Sequence, residues 1–395
     1  MRFLPAIALL LPALASAQAN RTYDPVNSKG FQHFYNLEYD EAIADFERAI
    51  QAKPDWPDGY NHLAQAIQFR ELYRVGALES ELVSGNNSFL RRPKVDTTPA
   101  IEAKFTATIG KSMSLAQAAI RKNPKDTEAM YALGVAHGLR ANWNFLVRKK
   151  WMDSLRDATA GRKLHNQVTE IDPNNYDARL VQGLHDYVVG SLPFFYKMLG
   201  FLAGFHGDKD QGIAAVAEVA QKGFWNKVDA KVLLCALYRR ESRWKDAEPL
   251  LDELTKRFPR NYLFWFERAQ LYSSLGDKSR ALGSVEHVAR MKGAGAPGYR
   301  KISNEKIAYQ FGNIQFWYRD YEAALSSLRT VTAGIQEVDL NTGTLAYLRM
   351  GQIYDVTNRR NQALVAYRKA IDLAPEADAA KDARRYLSSP YRRKA

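Results

Sequence analysis

Seven histidines and one cysteine are the residues that could act as acid, base, nucleophile or metal ligand near neutral pH: His33, His62, His137, His165, His185, His206, His287 and Cys235. Zinc hydrolysis would need a spacing such as HExxH, which sets two imidazoles on one helix face, and no histidine here has it. His185-Asp186 and His206-Gly207-Asp208 can be drawn as acid–base couples. Adjacent residues on a helix diverge, so His185 and Asp186 are not expected to face each other. The chain has no GxSxG elbow and no Gly-rich phosphate loop. Its glycine cluster, 293–298, reads as a linker, with phosphate binding as the alternative. A lone Cys235 allows no intrachain disulfide and is expected to pack as a small hydrophobe. These residues predict no catalytic centre, no metal and no cofactor.

Eight triplets, each stepping by four and then three residues, set the framework that would position any site. They are Ala42–Phe46–Ala49, Ser112–Ala116–Ala119, Gly161–His165–Val168, Gly212–Val216–Val219, Ala247–Leu251–Leu254, Ala281–Val285–Val288, Ala324–Leu328–Val331 and Ala363–Tyr367–Ala370. That spacing lines one face of a helix. Pro54, Pro124, Pro173, Pro259 and Pro375 follow five residues after their triplets and end the helix. A small residue stands twelve before the first triplet member in the regular units: Gly30, Cys235, Ala269, Gly312 and Gly351. Tyr39, Trp244 and Tyr321 fill one slot three residues before it, as core packing.

This pattern resembles the tetratricopeptide (TPR) repeat, a helix–turn–helix unit of about 34 residues. The resemblance implies an all-α, right-handed TPR solenoid in which each repeat contacts its neighbours. A segment with Leu192-Pro193, Leu199-Gly200-Phe201, Gly207-Asp208-Lys209 and Gly212 is also similar to the tetratricopeptide repeat protein 39 and inclusion-body-clearance families, without transferring a function.

Repeats two, three and four depart from the regular spacing. Ala64 to Ser112 is 48 residues, Gly134 to Gly161 is 27 and Gly183 to Gly212 is 29, where the regular units have twelve. All three insertions fall between the first helix (A) and second helix (B) of a repeat. They either form a working edge or lengthen the helices and pack on one another. The second carries Arg148, Lys149 and Lys150; the third carries Phe194, Phe195 and Tyr196 in the most apolar stretch after the N-terminus.

The family's groove is lined by helix A, mainly its second, fifth, ninth, twelfth and thirteenth positions. Carried onto repeats five to seven, this gives Arg239, Arg240, Phe266, Gln270, Tyr309, Asn313, Phe316 and Trp317 as a partner-binding surface. Aromatics and arginine suit that role. Truncating Phe316 or Trp317 would then weaken binding and spare stability. The lysines of the carboxylate clamp found in TPR co-chaperones are absent, which argues against that ligand.

Arg2, the apolar run Phe3 to Leu14 and Ala15-Ser16-Ala17 read as a secretory signal peptide, with Ala17-Gln18-Ala19 a second cleavage option. The expected organisation is a signal peptide at 1–19, an N-terminal array at 20–223, a regular array with a capping helix at 224–389 and a basic tail at 390–395. The expected location is periplasmic or secreted, and the sequons at Asn20 and Asn86 leave a eukaryotic secretory route open. No later stretch is long and apolar enough to span a bilayer. A net charge of +13 on 395 residues admits an anionic envelope component as partner. A protein or peptide in the groove is the primary expectation, and nucleic acid is not expected.

Overall fold

The computed structural model describes residues 25–78, 94–191 and 207–393. Within them the chain forms helices: α1 (Pro25–Tyr35), α2 (Tyr39–Ala52), α3 (Pro57–Arg74), α4 (Pro99–Lys122), α5 (Thr127–Trp143), α6 (Trp151–Ile171), α7 (Arg179–Gly190), α8 (Lys209–Lys222), α9 (Lys227–Arg240), α10 (Trp244–Arg257), α11 (Tyr262–Ser274), α12 (Lys278–Gly293), α13 (Asn304–Trp317), α14 (Tyr321–Ala333), α15 (Leu340–Val356), α16 (Arg360–Leu373) and α17 (Asp378–Ser388). Odd-numbered helices up to α15 are the A helices, and each is paired with the B helix that follows.

The triplets are the reason these helices stack. All their residues are buried except Ala119, which is half-buried. The small residue on helix A lies against the middle member of the triplet. A Cβ on Gly30 would sit 2.6 Å from the Phe46 ring, and one on Gly351 would sit 2.3 Å from the Tyr367 ring. Those approaches exclude any larger side chain.

Turns between A and B repeat one geometry in the regular units. Leu37, Ser242, Arg319 and Asn358 take positive φ, as does Gly276. The next residue then donates its N–H back to the last turn of helix A, as in Glu38 to His33 (2.9 Å) and Arg243 to Tyr238 (2.7 Å). This is the left-handed cap that terminates helices.

The insertions lengthen helices. α4 has 24 residues and α6 has 21, against 13 or 14 in α10, α14 and α16. A π-helical segment, Asn144–Arg148, extends α5 before the chain turns at Lys149. Residues 79–93 and 192–206, with the tips of the first and third insertions, lie outside the described residues.

The first two repeats meet the start of the sixth. Arg260 bonds Glu38 through Nε (2.7 Å) and Nη2 (2.8 Å), and its backbone N–H donates to Asn36 Oδ1 (3.0 Å). Asn261 Nδ2 donates to the Tyr35 carbonyl (2.7 Å), and the Tyr73 and Tyr262 hydroxyls are 2.8 Å apart. One core cluster accordingly joins Phe34 and Tyr35 to Phe258, Phe264 and Leu271. At the other end, α17 buries Ala379, Ala380 and Ala383 and turns its charged side outward, as a terminal cap should.

Candidate functional site

The closure brings the inner sides of four A helices together. Phe31 of α1, Asp58, His62 and Gln65 of α3, Tyr131 and Val135 of α5, Asp229 of α9, and Trp225 and Asn226 just before α9 line one recess of about 20 Å³. That volume suits about one water. Phe31, Asp58, Gln65, Tyr131, Val135 and Asp229 occupy second, fifth or ninth helix-A positions, so the recess is the inner face of the solenoid.

Local hydrogen bonds hold Trp225 in place. The buried Asp177 carboxylate accepts the backbone N–H groups of Phe224 (3.0 Å), Trp225 (3.3 Å) and Asn226 (3.0 Å). Asn226 Nδ2 donates to the Tyr131 hydroxyl (3.0 Å). The indole then lies 5.3 Å from the His62 ring, 6.2 Å from Trp56 and 6.3 Å from Phe31.

The recess is electronegative. His62 is 8% exposed, and burial lowers its pKa to about 3, so it is neutral at pH 7. Its Nδ1 lies 3.0 Å from Asn27 Oδ1, which places the proton there and leaves Nε2 an acceptor. Burial raises Asp229 to about 6, with the nearby Tyr35 and Gln65 opposing the shift and Asp177 adding to it. With that pKa Asp229 is mostly ionised at pH 7, and no lysine or arginine lines the recess in a chain of net charge +13. Such a wall accepts a cation.

The groove residues expected from the regular repeats divide. Arg240 and Trp317 are exposed and Gln270 is half-buried. Phe266, Tyr309, Asn313 and Phe316 are buried. Arg239 is buried as well, in an ion pair of 2.6 Å with Glu267 that ties α9 to α11. The inner sides of neighbouring A helices pack on one another, so most of these side chains are core. Arg349 of α15 lies over Phe316 (4.7 Å) and Trp317 (5.0 Å) and bonds Asn313 Oδ1 (3.1 Å). The C-terminal tail folds onto the same place. Tyr391 N–H donates to Asp355 (2.7 Å), and Arg393 donates to the carbonyls of Phe316 and Trp317.

Of the insertion residues, Arg148 faces inward: it bonds Glu102 (2.7 Å), Thr106 (2.8 Å) and Asn144 (3.1 Å), joining the π-helical segment to α4. Lys149 lies over Phe145 and Trp151, and Lys150 is exposed. Exposed Trp151, Met152 and Leu155 continue that edge. Phe194, Phe195 and Tyr196 lie outside the described residues.

The chemistry-bearing residues are placed as follows. Cys235 is buried, and burial pushes its thiol well above the ordinary range. His165 is fully buried and stacked on Tyr131 at 5.3 Å, its pKa lowered to about 4 by burial. His137 Nδ1 bonds Asp157 (2.9 Å), which Arg140 and Asn144 also hold. Against expectation, His185 Nδ1 lies 3.3 Å from Asp186 Oδ1. The side chains of these adjacent residues curl toward each other, in a long contact on a half-buried ring. His206 lies outside the described residues. No group of three His, Cys, Asp or Glu side chains converges to hold a metal among the described residues.

A cavity of about 460 Å³ borders the 293–298 linker, lined by Ala289, Lys292, Gly293, Arg300, Asn304 and Ile307. Lys292 and Arg300 are turned to backbone carbonyls there, of Ile302 and Gly295.

Tetratricopeptide-repeat family models match residues 236–297 and 345–376. The fold is a tetratricopeptide-repeat solenoid. Among solved structures, the Cut9–Hcn1 hetero-tetramer of APC/C is similar at a TM-score of 0.50 and 13% identity, covering 95% of this chain and 57% of that one. Human IFIT1, in a dimer with m7Gppp-AAAA, gives 0.46 and 12%, covering 92% and 81%. Yeast Tom70 gives 0.41 and 13%, covering 92% and 94%. These likenesses concern the TPR fold alone. No curated protein matches the sequence.

Proposed function

We propose that this TPR solenoid is an exported, non-catalytic scaffold that holds a protein or peptide partner on its inner face, in an assembly or adaptor role. The TPR fold supports protein binding in general. The observation that carries the specific reading is the recess itself. Four A helices converge there to put two carboxylates, a neutral imidazole and three aromatic rings at the inner surface of a strongly basic chain. Gln65, Trp225, Asn226 and Asp229 at its rim keep part of their surface in solvent. Export rests on Arg2, the apolar run Phe3 to Leu14 and the cleavage pattern ending at Ala17 or Ala19.

A second reading has its own observation. Trp151 (40% exposed), Met152 (69%) and Leu155 (47%) stand beside Lys149 and Lys150, which suits an anionic membrane surface or envelope polymer. Among the described residues, no helix is long and apolar enough to cross a membrane. A pull-down from envelope extract at low and high salt separates the readings. A discrete protein retained at high salt, and lost with Trp225→Ala, supports the inner-face partner. Lipid or polysaccharide retained only at low salt supports the basic edge. The mass of the secreted chain reports cleavage after residue 17 or 19.

A further inference from the structure

We infer that the inner recess is a binding site for a primary ammonium group, presented by a lysine side chain or a chain N-terminus of the partner. The inference rests on the inner-face reading above and names the chemistry that face would recognise.

Three properties of the site select this ligand. Its size comes first: a volume of about 20 Å³ admits one water-sized group, and an –NH3+ head is of that size while a guanidinium or a trimethylammonium is larger. Its polarity comes second. Asp58 and Asp229 line it, and the Nε2 of His62 is an acceptor with no hydrogen-bond partner among the described residues, on a side chain 8% exposed. An ammonium brings three donors and no acceptor, so each of these acceptors can take one of its N–H groups. Third, the Phe31, Tyr131 and Trp225 rings complete the lining, and aromatic rings attract a nearby cation. An alkyl stem leaving the recess would run along Val135 and Trp225, which are half-exposed.

A divalent metal fits less well, because the acidic and imidazole groups do not converge to metal-ligand geometry among the described residues. Arginine would need a flat slot for its fork, which a one-water volume does not offer.

The test is calorimetric titration of the full chain with Nα-acetyl-lysine methylamide, glycyl-glycinamide, Nα-acetyl-arginine methylamide, tetramethylammonium and the neutral Nα-acetyl-norleucine methylamide. Binding by the lysine compound, the glycyl compound or both is expected, and which one binds tells side chain from N-terminus. Arginine, tetramethylammonium and norleucine compounds are expected not to bind. Asp229→Asn should weaken binding roughly tenfold or more, as loss of a charge-assisted hydrogen bond does. Trp225→Phe should weaken it less, which keeps the test open if Asp229→Asn folds poorly; circular dichroism reports that. Equal binding of the norleucine or tetramethylammonium compound, or wild-type affinity in Asp229→Asn, overturns the inference. So does binding of Zn2+ in place of amines. If amines bind through Asp229 while no protein is retained in the pull-down, the ammonium site stands and the scaffold reading fails. If a protein is retained equally by wild type and Asp229→Asn, the scaffold reading stands and the ammonium site fails.

Discussion

Arg260 grips Glu38 with two hydrogen bonds, 2.7 Å from Nε and 2.8 Å from Nη2, and so fastens the start of the sixth repeat to the first. The pair is partly exposed, Arg260 at 35% and Glu38 at 21%. Its own contribution is therefore modest, and Arg260→Ala should cost about 1 kcal/mol. Asn261 does more. Its Nδ2 holds the Tyr35 carbonyl while its Oδ1 accepts from Leu263 N–H and caps α11. Asn261→Ala should cost about 1–3 kcal/mol by the sum of cap and buried bond. Urea melts measure both losses, and a larger radius of gyration by X-ray scattering in the double variant would show the closure opening.

Phe316 and Trp317 are neighbours with opposite fates. Phe316 is fully buried and Trp317 is 42% exposed. Phe316→Ala should cost about 3–5 kcal/mol as a large-to-small core change. Trp317→Ala should stay within about 1 kcal/mol. Thermal melts of the two variants, compared directly, check the assignment.

Buried titratable groups set how stability depends on pH. His62 and His165 are depressed from 6.5 to about 3 and about 4. The folded chain refuses protons that the unfolded chain takes up, so their contribution is complete above pH 6.5 and lost as pH falls through those values. Asp229 runs the other way. Its pKa is raised from 3.8 to about 6, so its contribution is complete below 3.8 and lost as pH rises through 6. Two histidines outweigh one carboxylate, and stability should fall as pH drops from 6.5 toward 4. Asp229→Asn should steepen that fall and His62→Gln should flatten it, read from urea midpoints across the range.

Arg319 takes φ of 65° at the turn between α13 and α14, and its side chain is exposed. A side chain in the left-handed region is strained, and glycine is not. Arg319→Gly should therefore stabilise the chain by about 1 kcal/mol. The sixth repeat already places Gly276 at the equivalent turn, and a melting comparison checks the gain.

The repeat framework is legible in sequence because one physical demand recurs. Each B helix must bury the same face against a small residue on helix A, as Phe46 does over Gly30 and Tyr367 over Gly351. The closure is not legible, because Glu38 and Arg260 are ordinary charged residues whose pairing depends on how far the superhelix curves. The recess falls between these cases. Its residues obey the helix-A positional rule, but the insertions in repeats two to four disguise the units that supply Asp58, Gln65 and Tyr131. Counting from Ala64 and Gly134 gives those positions, and counting from Cys235 gives Asp229. The same rule in repeats five to seven yields mostly core, since exposure depends on whether neighbouring A helices have already met.

The central claim is that the inner recess, and not the insertion edge, meets the partner. A photo-crosslinking amino acid placed at position 225 or at position 151 of the full chain tests it directly in cells. An adduct with a discrete protein from position 225, and none from 151, is the predicted result. An adduct from position 151 alone would contradict it.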